Sequence, residues 1–447
     1  MGKQHDGVLL TMGEYRGTIA ATRFYGRHGV AVHLAEWRYF VPARWSRYVR
    51  ENVTCPSVSD FDRFGDWLVA FGESRPGLFL YATSDDTAWL YASRREELAR
   101  YYRMYQPALE TIAQLLNKRH LYTLCAELGI DYPETVYPDS TAALASLPAS
   151  VRFPVVIKPT SQVGFVGQSK GEICADASNL VFRYERFREH SGYPPQLVAY
   201  DPLIAWPMIQ AWHREAMSGI YSLAGFIDED GGRFLVRAAR KVLQRPRRLG
   251  IGLCFEDAPI SERLATQVYE LCRKSGYYGV FEVEFIHVKN QDRYLLIDFN
   301  PRFYGQMGFE IARELPLPGL VYAAARPPAR RAVAPAFLAA PDSPPLHAYH
   351  YANKWLLAVL LTTQRLSRRL SSDERQHWLA WRRNPDSTYV DAICARGDRL
   401  PYFVDILVNL AALARHPRAF VRQFFLDARG RELAFFSAMS PWRILDW

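Results

Sequence analysis

The segment Gly279–Arg302, GVFEVEFIHVKNQDRYLLIDFNPR, constrains the fold more than any other stretch of this chain. It reads as two β-strands joined by a turn near Gln291. Side chains along a strand alternate between faces with period two. A turn near Gln291 puts Glu284 opposite Asp298 and Glu282 opposite Asn300. One face then carries Glu282, Glu284, Asp298 and Asn300, with Arg302 next along it. The other carries Val283, Phe285, Ile297 and Phe299 and suits a core. Carboxylates directly opposite each other repel unless positive charge sits between them. That charge is either a metal ion or a set of nearby Lys and Arg side chains. Hard oxygen donors suit Mg²⁺ better than Zn²⁺, and Mg²⁺ held by a few carboxylates commonly works with substrate phosphates.

Cations that could meet phosphates lie upstream. Lys158 ends the apolar run FPVVIKP, Lys118 starts a helical stretch, and Arg240-Lys241 ends another strand. Taken singly, each reads as a surface cation. Together with a metal face they match the electrostatics of phosphoryl transfer, where positioning and charge neutralisation do most of the work.

Strand-like and helix-like pieces alternate through the first hundred residues. Gly7–Leu10, Val30–Ala35 and Leu78–Tyr81 read as strands; Gly17–His28 and Asp60–Gly72 read as helices. This is the pattern of a small parallel α/β domain. The turn after the first strand has Gly13 and Gly17 but no GxGxxG, so a nicotinamide-cofactor site is rejected. A second unit begins near Asn117 with the helix Lys118–Leu128, closed by Gly129. Tyr221–Ile227, Phe234–Arg240, Tyr278–Val288 and Tyr294–Phe299 read as strands, and Ser261–Gly276 as a helix with an N-cap Ser and a terminal Gly. Arg326–Pro345, rich in Ala, Pro and Arg, reads as a linker, and the chain beyond it reads as mainly helical.

These residues resemble the ATP-grasp superfamily, of the carboxylate–amine ligase type with a carbamoyl-phosphate-synthase- or biotin-carboxylase-like domain. The resemblance runs from about Asn117 to Leu320. It rests on Lys118 in NKRHLYTLCAELGIDYP, Lys158 in FPVVIKP, the hinge PMIQAW, and VEF followed by DFNPR. It implies an α/β fold (the α+β ATP-grasp fold) in three parts. These are a Rossmann-like domain over 1–105, a two-lobed ATP-grasp domain over 106–325, and a basic, mainly helical extension over 326–447. Within the middle part the lid would span about 130–205 and the metal-binding lobe about 206–325. Carried over by position, Lys118 and Lys158 would contact ATP phosphates. Met208, Ile209, Gln210, Ala211 and Trp212 would hold the adenine through their backbone, with Glu215 on the ribose. Glu284, Asp298 and Asn300, assisted by Glu282, would hold two Mg²⁺ ions, with Mn²⁺ as a substitute. Arg302, Lys241 and Arg240 would face the transferred phosphoryl group or substrate. Two departures stand out. The loop Thr160–Lys170 has only Gly164 and Gly167 where relatives are rich in Gly and Ser. Asp298 stands where a Glu is usual.

The implied reaction activates a small carboxylic acid as an acyl phosphate and joins it to an amine, forming a C–N bond with release of ADP and phosphate. A carboxylating or carbamoylating enzyme is the weaker alternative, because no biotin-carrier segment and no duplicated half is visible. A nucleotide-binding regulatory or scaffold protein is the alternative from another class. Net charge is +9, and residues 326–447 hold 18 Lys and Arg against 10 Asp and Glu. No nucleic-acid-binding motif accompanies that charge. The basic region therefore suggests an accessory helical domain, a homodimer contact or contact with an anionic surface. Six scattered cysteines without a CxxC pair, no secretory signal and no apolar run of membrane-spanning length point to a cytoplasmic protein.

Overall fold

The run GVLLT is buried along its whole length, as a strand covered on both faces must be. In the computed structural model, which describes residues 6–167, 171–217, 219–245, 251–326 and 348–426, it forms β1 (Gly7–Thr11). It joins β2 (Ala31–Ala35), β3 (Val49–Val53), β4 (Phe79–Leu80) and β5 (Arg103–Met104). All pairings are parallel, in the order β3-β2-β1-β4-β5. The order reverses between β1 and β4, which opens the crevice where doubly wound sheets bind ligands. Local sequence sets the flanking helices. Asp60 caps Phe61–Ser74 by accepting from Arg63 N at 3.2 Å. Ser84 and Thr87 form a capping box that starts Asp85–Ser93 with two acids in its first turn.

The next unit holds β6 (Thr135–Val136), β7 (Val155–Lys158), β8 (Val166–Gly167), β9 (Glu172–Cys174), β10 (Ser191–Gly192) and β11 (Met208–Ala211). An antiparallel sheet in the order β6-β11-β7-β9 buries Val155, Ile157 and Ile209 against Leu144, Leu180 and Tyr184. β8 and β10 make a separate ribbon. β11 belongs to this small sheet, paired on one side with β6 and on the other with β7.

The largest sheet comprises β12 (Ile220–Ile227), β13 (Phe234–Arg245), β14 (Ile251–Ala258), β15 (Gly279–Val288), β16 (Arg293–Asn300), β17 (Ala348–Ala352) and β18 (Ser387–Asp391), in the order β16-β15-β12-β13-β14-β17-β18. One face packs on the helices Leu109–Leu116, Lys118–Glu127 and Glu262–Ser275 through Val283, Phe285, Leu296 and Phe299. The last of these helices has the expected ends, an N-cap at Ser261 and a left-handed Gly276. The other face packs toward the first domain through Ala224, Ala239 and Val280, with Tyr304 and Met307 between. There Gly17 is required. A Cβ on it would stand 2.5 Å from the Tyr304 carbonyl oxygen.

Two features differ from the sequence expectation. A bulge after Glu284 pairs Phe285 with Leu296, so Ile297 leaves the core face and packs beside Ile286 and Leu295. The C-terminal region is not purely an accessory set of helices. β17 and β18 extend the large sheet, and Leu356, Leu357 and Trp381 pack on Leu243 and Cys254. Residues 168–170 of the loop, the Arg326–Pro345 linker beyond Arg326, and residues 427–447 lie outside the described residues.

Candidate active site

The register anticipated for β15 and β16 is present, with Glu284 opposite Asp298 and Glu282 opposite Asn300. The four side chains occur where the central strands run under the first domain. Each carboxylate has a partner from elsewhere in the chain. Lys118, the first residue of its helix, donates to Asp298 at 2.7 Å. Lys241 on β13 pairs with Glu284 at 2.5 Å. Glu282 is buried and accepts from Asn300 at 3.2 Å and from Gln306. Burial, then the neighbouring Glu284, pushes the Glu282 carboxyl well above its ordinary pKa. Burial would also raise Asp298, but Lys118, Arg302 and Lys158 outweigh it and hold that carboxyl below the ordinary range. Lys241 shows the converse. Burial favours its neutral form, and Glu284 more than reverses this.

Lys158, at the end of β7, completes a cationic group. Burial and the nearby Lys118 charge pull its ammonium down to about 7, and Asp298 opposes them. Among the described residues its amine has no hydrogen-bond or ion-pair partner, which leaves it available to an anionic ligand. Arg302 spans two units of the fold. Nε donates to Asp85 at 2.6 Å, and Nη2 donates to Asn300 Oδ1 at 2.7 Å. Burial works against the guanidinium charge and Asp85 restores it, so its pKa is raised. Tyr15, on the loop after β1, lies within electrostatic reach of the same guanidinium.

The remaining expected residues are distributed less simply. Arg240 is exposed and lies on the opposite face of β13 from Lys241, near Tyr221 and Tyr294, so it does not join the site. On β11, Met208 and Gln210 share the face of Lys158. Ile209 turns into the lobe's own core. Gln210 is buried and donates to Tyr122 Oη at 3.1 Å and Thr135 Oγ1 at 2.9 Å, so its amide holds the hinge together. The N–H groups of Ala211 and Trp212 are spent on the carbonyls of Glu134 and Pro154. An adenine held wholly by the hinge backbone, as expected from sequence, would have to do without these two donors. Glu215 is half-buried in the turn Arg214–Met217 and acts on His213, whose pKa burial lowers and Glu215 raises.

Asp85 and Gln306 belong to the site and were not anticipated. The only signal for Asp85 was its place in a capped first turn, where an acid is explained by the helix dipole alone. Asp86 beside it accepts from Gly164 N at 2.7 Å, so one helix start contacts both the Arg302 side and the glycine-containing loop.

The donor set fits a divalent cation only in part. Among the described residues no group of three or more His, Cys, Asp and Glu side chains is arranged to hold a metal. Asn300 Oδ1 is engaged by Arg302, and both Glu282 oxygens accept hydrogen bonds. Glu284 and Asp298 each have one oxygen facing a lysine, and Asp298 remains 37% exposed. Two carboxylates with the rest of the shell left to phosphates and water is an arrangement Mg²⁺ accepts.

No family model matches the chain. Over 278 residues it is 21% identical to a D-aspartate ligase of Enterococcus faecium; the match covers 58% of this chain and 62% of that protein, less than two thirds of the relative's length. Among solved structures it is similar to a biotin carboxylase from Campylobacter jejuni, with a TM-score of 0.56 at 13% identity over 73% of each chain. It is also similar to an L-amino acid ligase from Bacillus licheniformis, with a TM-score of 0.53 at 15% identity over 73% of this chain and 75% of that one. At these identities the likeness to the solved structures is one of fold.

Proposed function

We propose that this chain, an ATP-grasp protein by its fold, is a ligase that uses ATP to activate a carboxylate and joins it to an amine. The observation that carries the proposal is the gathering of Lys118, Lys158, Lys241 and Arg302 around the facing carboxylates Glu284 and Asp298. Glu284 and Asp298 would hold Mg²⁺, which when bound with nucleotide supplies positive charge to the phosphate oxygens.

The chain's own groups account for the remaining work. Lys158 and Lys118 receive the phosphates. When nucleotide binds, Lys118 exchanges part of its pairing with Asp298 for phosphate oxygen, which frees that carboxylate for the cation. A carboxylate oxygen of the acid attacks the γ-phosphorus as the bond to the ADP oxygen breaks. Arg302, held by Asp85 and Asn300, neutralises charge on the moving phosphoryl group. The neutral amine then attacks the acyl carbon, the acyl–oxygen bond to phosphate breaks, and the proton lost from the nitrogen ends on the departing phosphate. The acid would enter from the crevice between β1 and β4, because Tyr15 and Asp85 line its Arg302 end. The loop around Gly164, already drawn to Asp86, would screen the acyl phosphate from water. We read residues 106–325 as the catalytic unit and a reducing cytoplasm as its setting; the six cysteines are all free.

The test is ADP release with Mg·ATP across a panel of carboxylic acids, with and without amines, using Asp298→Ala as control. Release that requires both an acid and an amine, and falls by at least about 10³-fold in the variant, supports the proposal. Release at the wild-type rate by Asp298→Ala overturns it. ATP-induced thermal stabilisation without release under any combination would favour a nucleotide-binding protein that lacks the chemistry.

A further inference from the structure

Helix Leu400–Arg415 buries Val404, Val408 and Asn409 and lies along Pro42–Trp45 of the first domain, where Val404 and Val408 meet Trp45. Its outer side exposes Leu400, Phe403, Leu407 and Leu410 by 50–58%. Steps of three, four and three residues place these on one stripe. Trp45 continues the surface into the first domain. Its ring lies 6.3 Å from Phe40, near-parallel, and 5.4 Å from Tyr39, and those two are 53% and 58% exposed. Single exposed apolar residues need no explanation, but a contiguous ridge assembled from two distant parts of the chain does.

The charge around this ridge has one sign. Residues 37–50 contain four arginines and no acid; Arg38 is buried and paired with Glu14, which leaves Arg44, Arg47 and Arg50 for the border of the ridge. Arg44 lies 5.2 Å from the Tyr39 ring centre, and Arg47 is exposed. Residues 399–420 contain Arg399, Arg415 and Arg418, all exposed, and a single acid, Asp405. Asp405 is buried and turned inward, accepting from Asn353 at 3.0 Å and from Trp355 at 2.8 Å.

We propose that this ridge docks the protein on the surface of an anionic bilayer, its leucines and aromatics entering the interface and its arginines meeting the headgroups. Amphipathic helices with aromatic and leucine side chains and a cationic border lie in that plane, and basic clusters draw proteins to anionic leaflets. Among the described residues no helix is long and apolar enough to cross a membrane, so the contact is peripheral. A second copy is the less suitable occupant. A two-fold pairing would set arginine against arginine, with no exposed acid among the described residues of 37–50 and 399–420 to answer it. The proposal does not depend on the ligase reading.

The test is flotation of the full chain with vesicles of phosphatidylcholine containing 30% phosphatidylglycerol, against pure phosphatidylcholine, at about 50 mM salt. The expected result is binding to the anionic vesicles only, reduced by about tenfold or more in Leu407→Glu/Leu410→Glu and reversed by salt. Both positions are exposed, so the variant should keep the wild-type melting temperature. Absence of binding to anionic vesicles, or equal binding by the variant, overturns the proposal. So does a concentration-dependent dimer that the same double substitution abolishes, which would assign the ridge to a second copy.

Discussion

Replacing Asp85 by Ala tests how the first domain acts on the chemistry. The Asp85–Arg302 pair is largely buried, its side chains 20% and 16% exposed. Breaking a fully buried pair costs about 3–5 kcal/mol, and a single hydrogen bond to a charged group about 1.5–3 kcal/mol. Arg302 would keep two acceptors, Asn300 Oδ1 at 2.7 Å and the Phe303 carbonyl at 3.1 Å. Partial exposure and these remaining partners place the stability loss at about 2–3 kcal/mol, read from urea unfolding. Part of that, about 0.3–1 kcal/mol, is the lost acid in the first turn of helix Asp85–Ser93. The catalytic effect is separate. A guanidinium displaced by about 1 Å costs on the order of 10²-fold, or about 2.7 kcal/mol in the barrier. The assay is steady-state ADP release at saturating ATP. A fall in kcat with little change in the ATP KM is expected, because the partner of Asp85 is Arg302 rather than Lys118 or Lys158, the lysines proposed to receive the phosphates. Asp66→Ala, which breaks an exposed pair to Arg94, serves as control and should leave both quantities unchanged. If Asp85→Ala keeps kcat within about threefold while remaining folded, Arg302 does not need its first-domain anchor and the positioning argument fails.

Lys241→Ala should lower turnover by at least about 10²-fold, whereas Arg240→Ala should stay within about twofold; equal effects would contradict the face assignment on β13. Nucleotide binding should take up protons above neutral pH. With Lys158 near 7 in the free protein and driven to the ammonium by phosphate, calorimetry in buffers of different ionisation heat should show uptake rising from about 0.1 proton at pH 6 to about 0.9 at pH 8. The Kd should weaken by about fivefold between pH 7 and 8 and by nearly tenfold per pH unit beyond, and a flat profile would show that this amine stays charged throughout. Gly17→Ala gains helix propensity yet should destabilise by about 1–3 kcal/mol, because its methyl meets the Tyr304 backbone; a raised urea midpoint would refute that close approach.

Much of the site was legible along single strands. The period-two alternation in GVFEVEF and LLIDFN was enough to put Glu282, Glu284, Asp298 and Asn300 on one face, because side-chain direction depends only on neighbouring residues; the pairing of Glu284 with Asp298 rested on placing the turn near Gln291, and it holds only on the Asn300 side of the bulge. Helix ends were legible for the same reason: Asn117, Ser261, Gly129 and Gly276 act within one turn of where they stand. The bulge that turns Ile297 over was not, since nothing local in RYLLIDFN marks which residue is unpaired. β17 and β18 were also missed. Both are short, and they are strands because the edge of β14 is there to receive them.

The order of residues along the chain thus specifies which side chains form the carboxylate face and which cations are candidates to meet it. Their pairing is a result of tertiary packing. Lys118 reaches Asp298 across 180 residues and Arg302 reaches Asp85 across 217, while Arg240, adjacent to Lys241, turns away. The cause is range. Side-chain direction is fixed by local backbone periodicity, whereas which charges share a low-dielectric pocket, and so shift one another's protonation, depends on how separate layers pack together.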